Sequence, residues 1–277
     1  MKSICIKTNN SNYLEYLLSE LKNCDLKNVY FSRNQFKNYK NIIIHYTGEN
    51  TKDFISEISS ILSLLVLDEI EEILLNKLLI QNYFYFDLQE RNQIIDICFD
   101  LKTNNFTDLF NKKYTLLYKC FFDYLSLNKT LILDGFINFR IKNYINVLDE
   151  TLKESVDIYV IEKEYLEFIS LLKIYIQSTK PLSNAVYLIY SNSKPLLLDE
   201  NKINIKISDN LEKATYLSDI SFSANDYILN TLLNLLPKTI YLELKDNNYP
   251  IDFINTLTLI FENRIQISCK DSGEVAP

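Results

Sequence analysis

Glycine and proline are scarce in this chain of 277 residues, at 3 and 5 positions. So few glycines leave little room for a glycine-rich phosphate loop, and no Walker loop, dinucleotide fingerprint or G-x-S-x-G elbow occurs. Long disordered linkers are disfavoured by the same composition. Histidine is rarer still. The single His45 excludes a His-rich metal site and offers only one imidazole base. It lies in the apolar run NIIIHY (residues 41–46), where a structural role within a strand is the simpler reading. The five cysteines, Cys5, Cys24, Cys98, Cys120 and Cys269, contain no C-x-x-C pair. An odd, scattered set fits reduced thiols in a cytoplasmic protein. Cys98 and Cys120 fall in helical apolar patterns and read as core residues, away from the base a thiolate nucleophile needs.

Long hydrophobic runs are also missing. The most apolar segment, residues 58–80, is interrupted by Asp68, Glu69, Glu71 and Glu72, which no membrane span tolerates. The start MKSICIKTNNSNYLEYLL has no charged region, apolar core and cleavage site of a secretory signal. Positive charge is in deficit, with 29 Lys and Arg against 36 Asp and Glu, a net −7. Broad nucleic-acid binding relies on clustered Lys and Arg and is disfavoured by that balance. What remains is a globular composition, 47% apolar and 23% charged, long enough for one large or two medium domains with a real core. The 20 tyrosines accompany heavy use of Ile, Asn and Lys and reflect an AT-rich source rather than a function.

The expected fold class is mixed α/β (α+β), a helical central block flanked by N- and C-terminal α/β pieces. Residues 1–82 form the first piece, with strands over 3–7, 28–31 and 41–46 and a helix over 11–21. A long helix over 54–80 follows, with Thr51 as its cap. Residues 83–180 form the helical block, with helices over 87–101 and 106–127 and a short apolar link over 131–133. Its longest regular stretch is 135–176, where Asp134 caps the start. Ile137, Ile141, Tyr144, Ile145, Leu148, Leu152, Val156 and Tyr159 recur at three- and four-residue steps and make one helical stripe. After Glu162, Lys163 and Glu164 the apolar set changes face, which fits two helices joined near 160–164 or one long helix whose buried side rotates, and the two-helix reading is favoured. Residues 181–270 form the C-terminal piece. Strands are expected over 185–190, 195–198 and 203–207, a helix over 226–236 stopped by Pro237, then strand 239–244, helix 251–262 and strand 264–268. That order predicts a parallel crossover. The tail 271–277 is expected to be disordered. Whether the N- and C-terminal strands share one sheet is open.

The run Gly135-Phe136-Ile137-Asn138-Phe139-Arg140-Ile141-Lys142-Asn143-Tyr144 resembles the GFI-x-FR-hydrophobic-K-x-Y segment of the YtxC-like family, which is named for sporulation proteins. The block from Asp157 to Leu172 is similar to that family's next segment, and weaker similarity runs from about 83 to 267. The resemblance implies a protein of a spore-forming bacterium connected to sporulation. It brings no catalytic residue, cofactor or metal ligand with it.

Within that segment Arg140, Lys142 and Tyr144 are the candidate partner- or anion-binding residues. The planar donors of Arg140 suit a carboxylate or phosphate near a helix start. The plainer reading is an internal salt bridge to an acidic helix. Glu164 and Glu167 share one helical face and form the candidate carboxylate pair, for Mg²⁺ or acid/base work. The plainer reading there is a solvated face. Together these readings favour a cytoplasmic protein, without cofactor or membrane span, that acts through a protein partner. The alternative is an enzyme acting on a phosphorylated or nucleotide substrate through Arg140, Glu164 and Glu167. Oligomeric state is left open.

Overall fold

The computed structural model describes residues 2–24, 27–36, 39–104, 106–191, 194–205, 223–245 and 248–269. The fold is mixed α+β, with a helical block in the middle of the chain and two four-stranded sheets. Two compact units divide the chain, Met1–Ile161 and Glu162–Pro277, and each has its own apolar core.

The first unit opens with β1 (Lys2–Thr8), α1 (Ser11–Asn23), β2 (Val29–Phe36) and β3 (Tyr39–Tyr46). Its sheet has the order β2-β3-β1-β4, where β4 is Thr130–Ile132, parallel to β1. The short link expected over 131–133 is therefore largely a strand, with Ile6 opposite Leu131. Period-two alternation buries Ile4, Ile6 and Thr8 with Ile42, Ile44 and Tyr46. Leu14, Leu17, Leu18 and Leu21 of α1, spaced by three and four, bury into the same core. The helix expected over 54–80 is three segments: α2 (Thr51–Leu65), a π-helical turn (Val66–Ile70) and α3 (Glu71–Asn82). Asn50, not Thr51, caps α2, its side chain accepting from the Asp53 N–H at 3.4 Å.

The rest of the helical block is α4 (Leu88–Asn104), α5 (Phe106–Leu127), α6 (Leu133–Arg140) and the first part of α7 (Lys142–Ser178). A reciprocal Asp87–Glu90 capping box starts α4, with bonds of 2.8 and 2.9 Å. Asp134 does not cap a helix. It lies in the first turn of α6 and accepts from Thr8 Oγ1 and the Asn9 N–H, tying α6 to the end of β1. At Ile141 the backbone leaves helical geometry (φ −96°, ψ 34°) and separates α6 from α7. Beyond it, α7 is one helix of 37 residues, so the expected break near 160–164 is absent. No glycine or proline interrupts it, and the buried side turns instead. Tyr144, Leu148, Leu152 and Tyr159 enter the first core, Ile169 and Ile176 the second.

The second unit contains β5 (Ser183–Ser191), β6 (Lys194–Leu198), α8 (Ala224–Leu235), β7 (Pro237–Leu244), α9 (Ile251–Phe261) and β8 (Ile265–Cys269). Its sheet has the order β6-β5-β7-β8, and β5, β7 and β8 run parallel, as the strand–helix–strand pattern predicts. The N- and C-terminal strands thus form two separate sheets. A Ser223–Asp226 capping box opens α8, and left-handed Leu236 (φ 39°) closes it before Pro237. Of the strand expected over 203–207 the described part makes one bridge, Leu198 to Asn204. Residues 206–207 and the tail 271–277 lie outside the described residues.

Candidate functional site

Helix α6 turns Phe136 and Ile137 inward, where Phe136 stacks on Phe121 with ring centroids 4.5 Å apart. The opposite side carries Asn138, Phe139 and Arg140 into solvent, and Phe139 is 77% exposed. Arg140 lies over the Tyr124 ring, 5.5 Å from its centroid, a cation–π placement. Among the described residues it has no carboxylate partner, so the internal salt bridge is not formed. Lys142 opens α7 and is exposed. Tyr144, two residues on, is 1% exposed, so of the three motif residues only Arg140 and Lys142 reach the surface.

Tyr144 belongs to a buried polar cluster. Its hydroxyl donates to Glu71 Oε2 at 2.7 Å, and Lys113 Nζ donates to Glu71 Oε1 at 2.8 Å. Both charged side chains are 2% exposed. Burial first, then the Glu71 charge, pushes the Tyr144 phenol far above its ordinary value, so it stays a donor. The insertion of the π turn rotates the following helix and delivers Glu71 to the inward face. Nearby on α4, Cys98 is buried and its thiol is raised by desolvation, only partly offset by a hydrogen bond with Ser155 and by Lys113. It is a protonated core thiol rather than a nucleophile. The cluster pins α3, α5 and α7 together from inside. Neither Glu71, Lys113 nor Tyr144 lines a described cavity.

The described cavities are open to solvent. One of about 430 Å³ lies between α4, α5 and α7, where Asp108, Glu150 and Glu154 outnumber Lys112. Another of about 370 Å³ lies beside α1, where Arg33 is held by Glu15 at 3.0 and 3.2 Å. Glu164 and Glu167 are exposed on α7, with Lys163 Nζ 4.0 Å from Glu167. They fall in the second unit and Arg140 in the first, and none of the three lines a described cavity. His45 is half-buried, and its Nδ1 lies 2.8 Å from Ser3 Oγ. Among the described residues no cluster of three or more His, Cys, Asp or Glu side chains could hold a metal ion. No described helix is long and apolar enough to cross a membrane.

The most distinctive surface is one that the sequence reading passed over. Ile73, Lys77 and Ile80 point outward from α3, and beyond it Phe84 and Tyr85 of the loop and Leu88 at the start of α4 are 63–81% exposed. Ile73 and Ile80 are themselves more than half exposed. The loop is braced from beneath. Tyr85 packs on Phe86 at 4.6 Å, and buried Phe86 meets Tyr159 edge-on at 5.6 Å. Lys77 reaches Asn138 of α6 at 3.4 Å and Asn82 reaches Asp149 of α7 at 2.8 Å, so α3 is tied to the motif-bearing helices. The apolar period sets Ile73 on one stripe with Ile70 and Leu74, yet the structure exposes it, and the available signal was Ile80 followed by Tyr-Phe-Tyr-Phe.

Neither the curated proteins nor the solved structures include a match to this chain. The YtxC-like family model matches residues 56–266, taking in the exposed α3 face, the buried cluster and the segment from Gly135 to Tyr144. The chain belongs to the YtxC-like family.

Proposed function

We propose that this is a cytoplasmic, sporulation-associated protein that acts by binding another protein. Its contact surface is the outer face of α3, the aromatic loop 83–88 and the α6–α7 corner bearing Arg140 and Lys142. The observation that supports this reading is the group of large apolar side chains left in solvent on a braced support, with Phe84 81% exposed. Single exposed apolar residues are ordinary, but adjoining exposed aromatics such as Phe84 and Tyr85 have the composition of binding hot spots. Lys77, Lys142 and Asp149 supply a charged rim. The net charge of −7 weighs against nucleic acid as the partner. The sporulation context is supported by the family to which the chain belongs.

The test is affinity capture of the tagged protein from vegetative and sporulating cells, with Arg140→Ala as the paired control. A stoichiometric protein partner, enriched in sporulating cells and depleted in the variant, is the expected result. Clean capture with no partner from either cell state contradicts the reading.

A further inference from the structure

The cavity of about 370 Å³ beside α1 holds a cation that nothing around it neutralises. Lys40 of β3 is half-buried and donates to Ser11 Oγ at the start of α1. Among the described residues it has no carboxylate partner. The carboxylate that lines the cavity, Glu15, already accepts from both terminal nitrogens of Arg33, at 3.0 and 3.2 Å. Arg33 and Glu15 cancel, so the cavity carries one net positive charge, at Lys40. No acidic residue sits in the first turn of α1, so the positive end of its dipole adds to Lys40 in the same corner. Strand register puts Gln35 opposite Lys40 and Arg33 opposite buried Ile42, so these side chains share the sheet face that α1 covers. Leu14 and Leu18 supply an apolar wall, and from Ser11 to Leu18 the helix rises about 10 Å.

We propose that this cavity binds the free carboxylate of an N-acylated apolar amino acid, either as a small molecule or as the last residue of a peptide. The carboxylate sits at Lys40 and Ser11, the acyl amide meets the Gln35 carboxamide, and the apolar side chain lies against Leu14 and Leu18. The volume is that of a small-ligand site. One unpaired ammonium matches a monocarboxylate better than a phosphate dianion. A free amino acid fits less well, because its own ammonium needs an acceptor and Glu15 is engaged by Arg33. Every lining residue precedes residue 56, where the family match begins, and none belongs to the contact surface at α3 and the aromatic loop. The site therefore stands apart from the proposed protein-binding role.

Titration of the full chain with N-acetyl-leucine, followed by backbone amide NMR shifts, tests this. A ligand of that size is expected to bind with a low-millimolar Kd and to shift Ser11, Gln35 and Lys40. N-acetyl-leucinamide keeps the shape and loses the charge, and is expected to bind about tenfold more weakly. Lys40→Gln is expected to weaken N-acetyl-leucine by a similar factor. Glu15→Gln acts in the opposite direction. It frees Arg33 for the ligand and is expected to tighten binding about threefold. Glu15 is exposed, so this variant keeps the fold, and circular dichroism checks both. Acetyl-Ala-Ala-Leu, which has the same terminus, assigns the source: equal or tighter binding means a peptide end, and exclusion means a small molecule. The absence of shifts at about 20 mM N-acetyl-leucine overturns the proposal. So does equal binding of the uncharged amide, or a Lys40→Gln or Glu15→Gln variant that binds as the parent does.

Discussion

At the scale of single residues, Glu71 decides more than any other side chain. A carboxylate with 2% exposure is costly, and Lys113 and Tyr144 offset that cost by giving each of its oxygens a donor. Lys113→Met removes the cation that offsets that buried charge and is expected to cost about 3–5 kcal/mol in urea unfolding. Tyr144→Phe removes one hydrogen bond and costs about 1–3 kcal/mol. Adding Glu71→Leu to Lys113→Met restores part of the loss, because the buried charge is gone while the Tyr144 hydroxyl loses its acceptor. A cost below about 1 kcal/mol for Lys113→Met means a solvated pair and contradicts this account. Alkaline pH is the second test. The Cys98 thiol and the Tyr144 and Tyr190 phenols are raised by burial, so the folded state holds their protons longer than the unfolded chain does. Their contribution is complete below the ordinary values of 9.0 for the thiol and 10.0 for the phenols and is lost as pH rises further. The urea midpoint is therefore expected to hold up to about pH 9 and fall above it. A midpoint that rises there contradicts the burial of these groups. Of this cluster the sequence displayed Tyr144 within the family-like segment but hid its partner. Glu71 is 73 positions from Tyr144 and 42 from Lys113, and it sat in an acidic run that reads as solvated. The phase of Lys113, on the Phe110, Tyr114, Leu117 and Phe121 side of α5, was the legible clue.

At the scale of elements, α7 sets the length of the helical block. A change of apolar face looked like a break, but a helix that serves two cores in succession produces the same pattern with continuous backbone. Lys163→Pro distinguishes the two. In the interior of a continuous helix it removes a hydrogen bond and clashes with the preceding turn, an expected loss of about 3 kcal/mol. A flexible joint would accept it with almost no change. The helices and most of the strands were legible because their periods are local and few glycines or prolines obscure them. The π turn and β4 were not. One inserted residue leaves no compositional trace, and a three-residue strand is specified by its partner β1, more than a hundred positions away.

At the scale of the whole molecule, the chain devotes its interior to structure and leaves two kinds of apolar surface outside. The buried cluster opens on no described cavity, and the candidate residues Arg140, Glu164 and Glu167 line none. Large apolar side chains stay exposed in the loop at Phe84 and along the second part of α7. Both escaped the sequence reading for one reason. Hydrophobic patterning identifies residues that seek burial, and only the folded chain shows which of them its own core fails to cover. That the N- and C-terminal strands build separate sheets was hidden for a related reason, since both sets are short β-branched runs and pairing is a long-range choice. The central claim is that a partner binds at α3, the aromatic loop and the α6–α7 corner. Its most direct test is quantitative capture with Phe84→Ser and Phe168→Glu side by side in sporulating cells. The account predicts that the partner is lost with Phe84→Ser and retained with Phe168→Glu. Equal recovery with Phe84→Ser and the parent would contradict it.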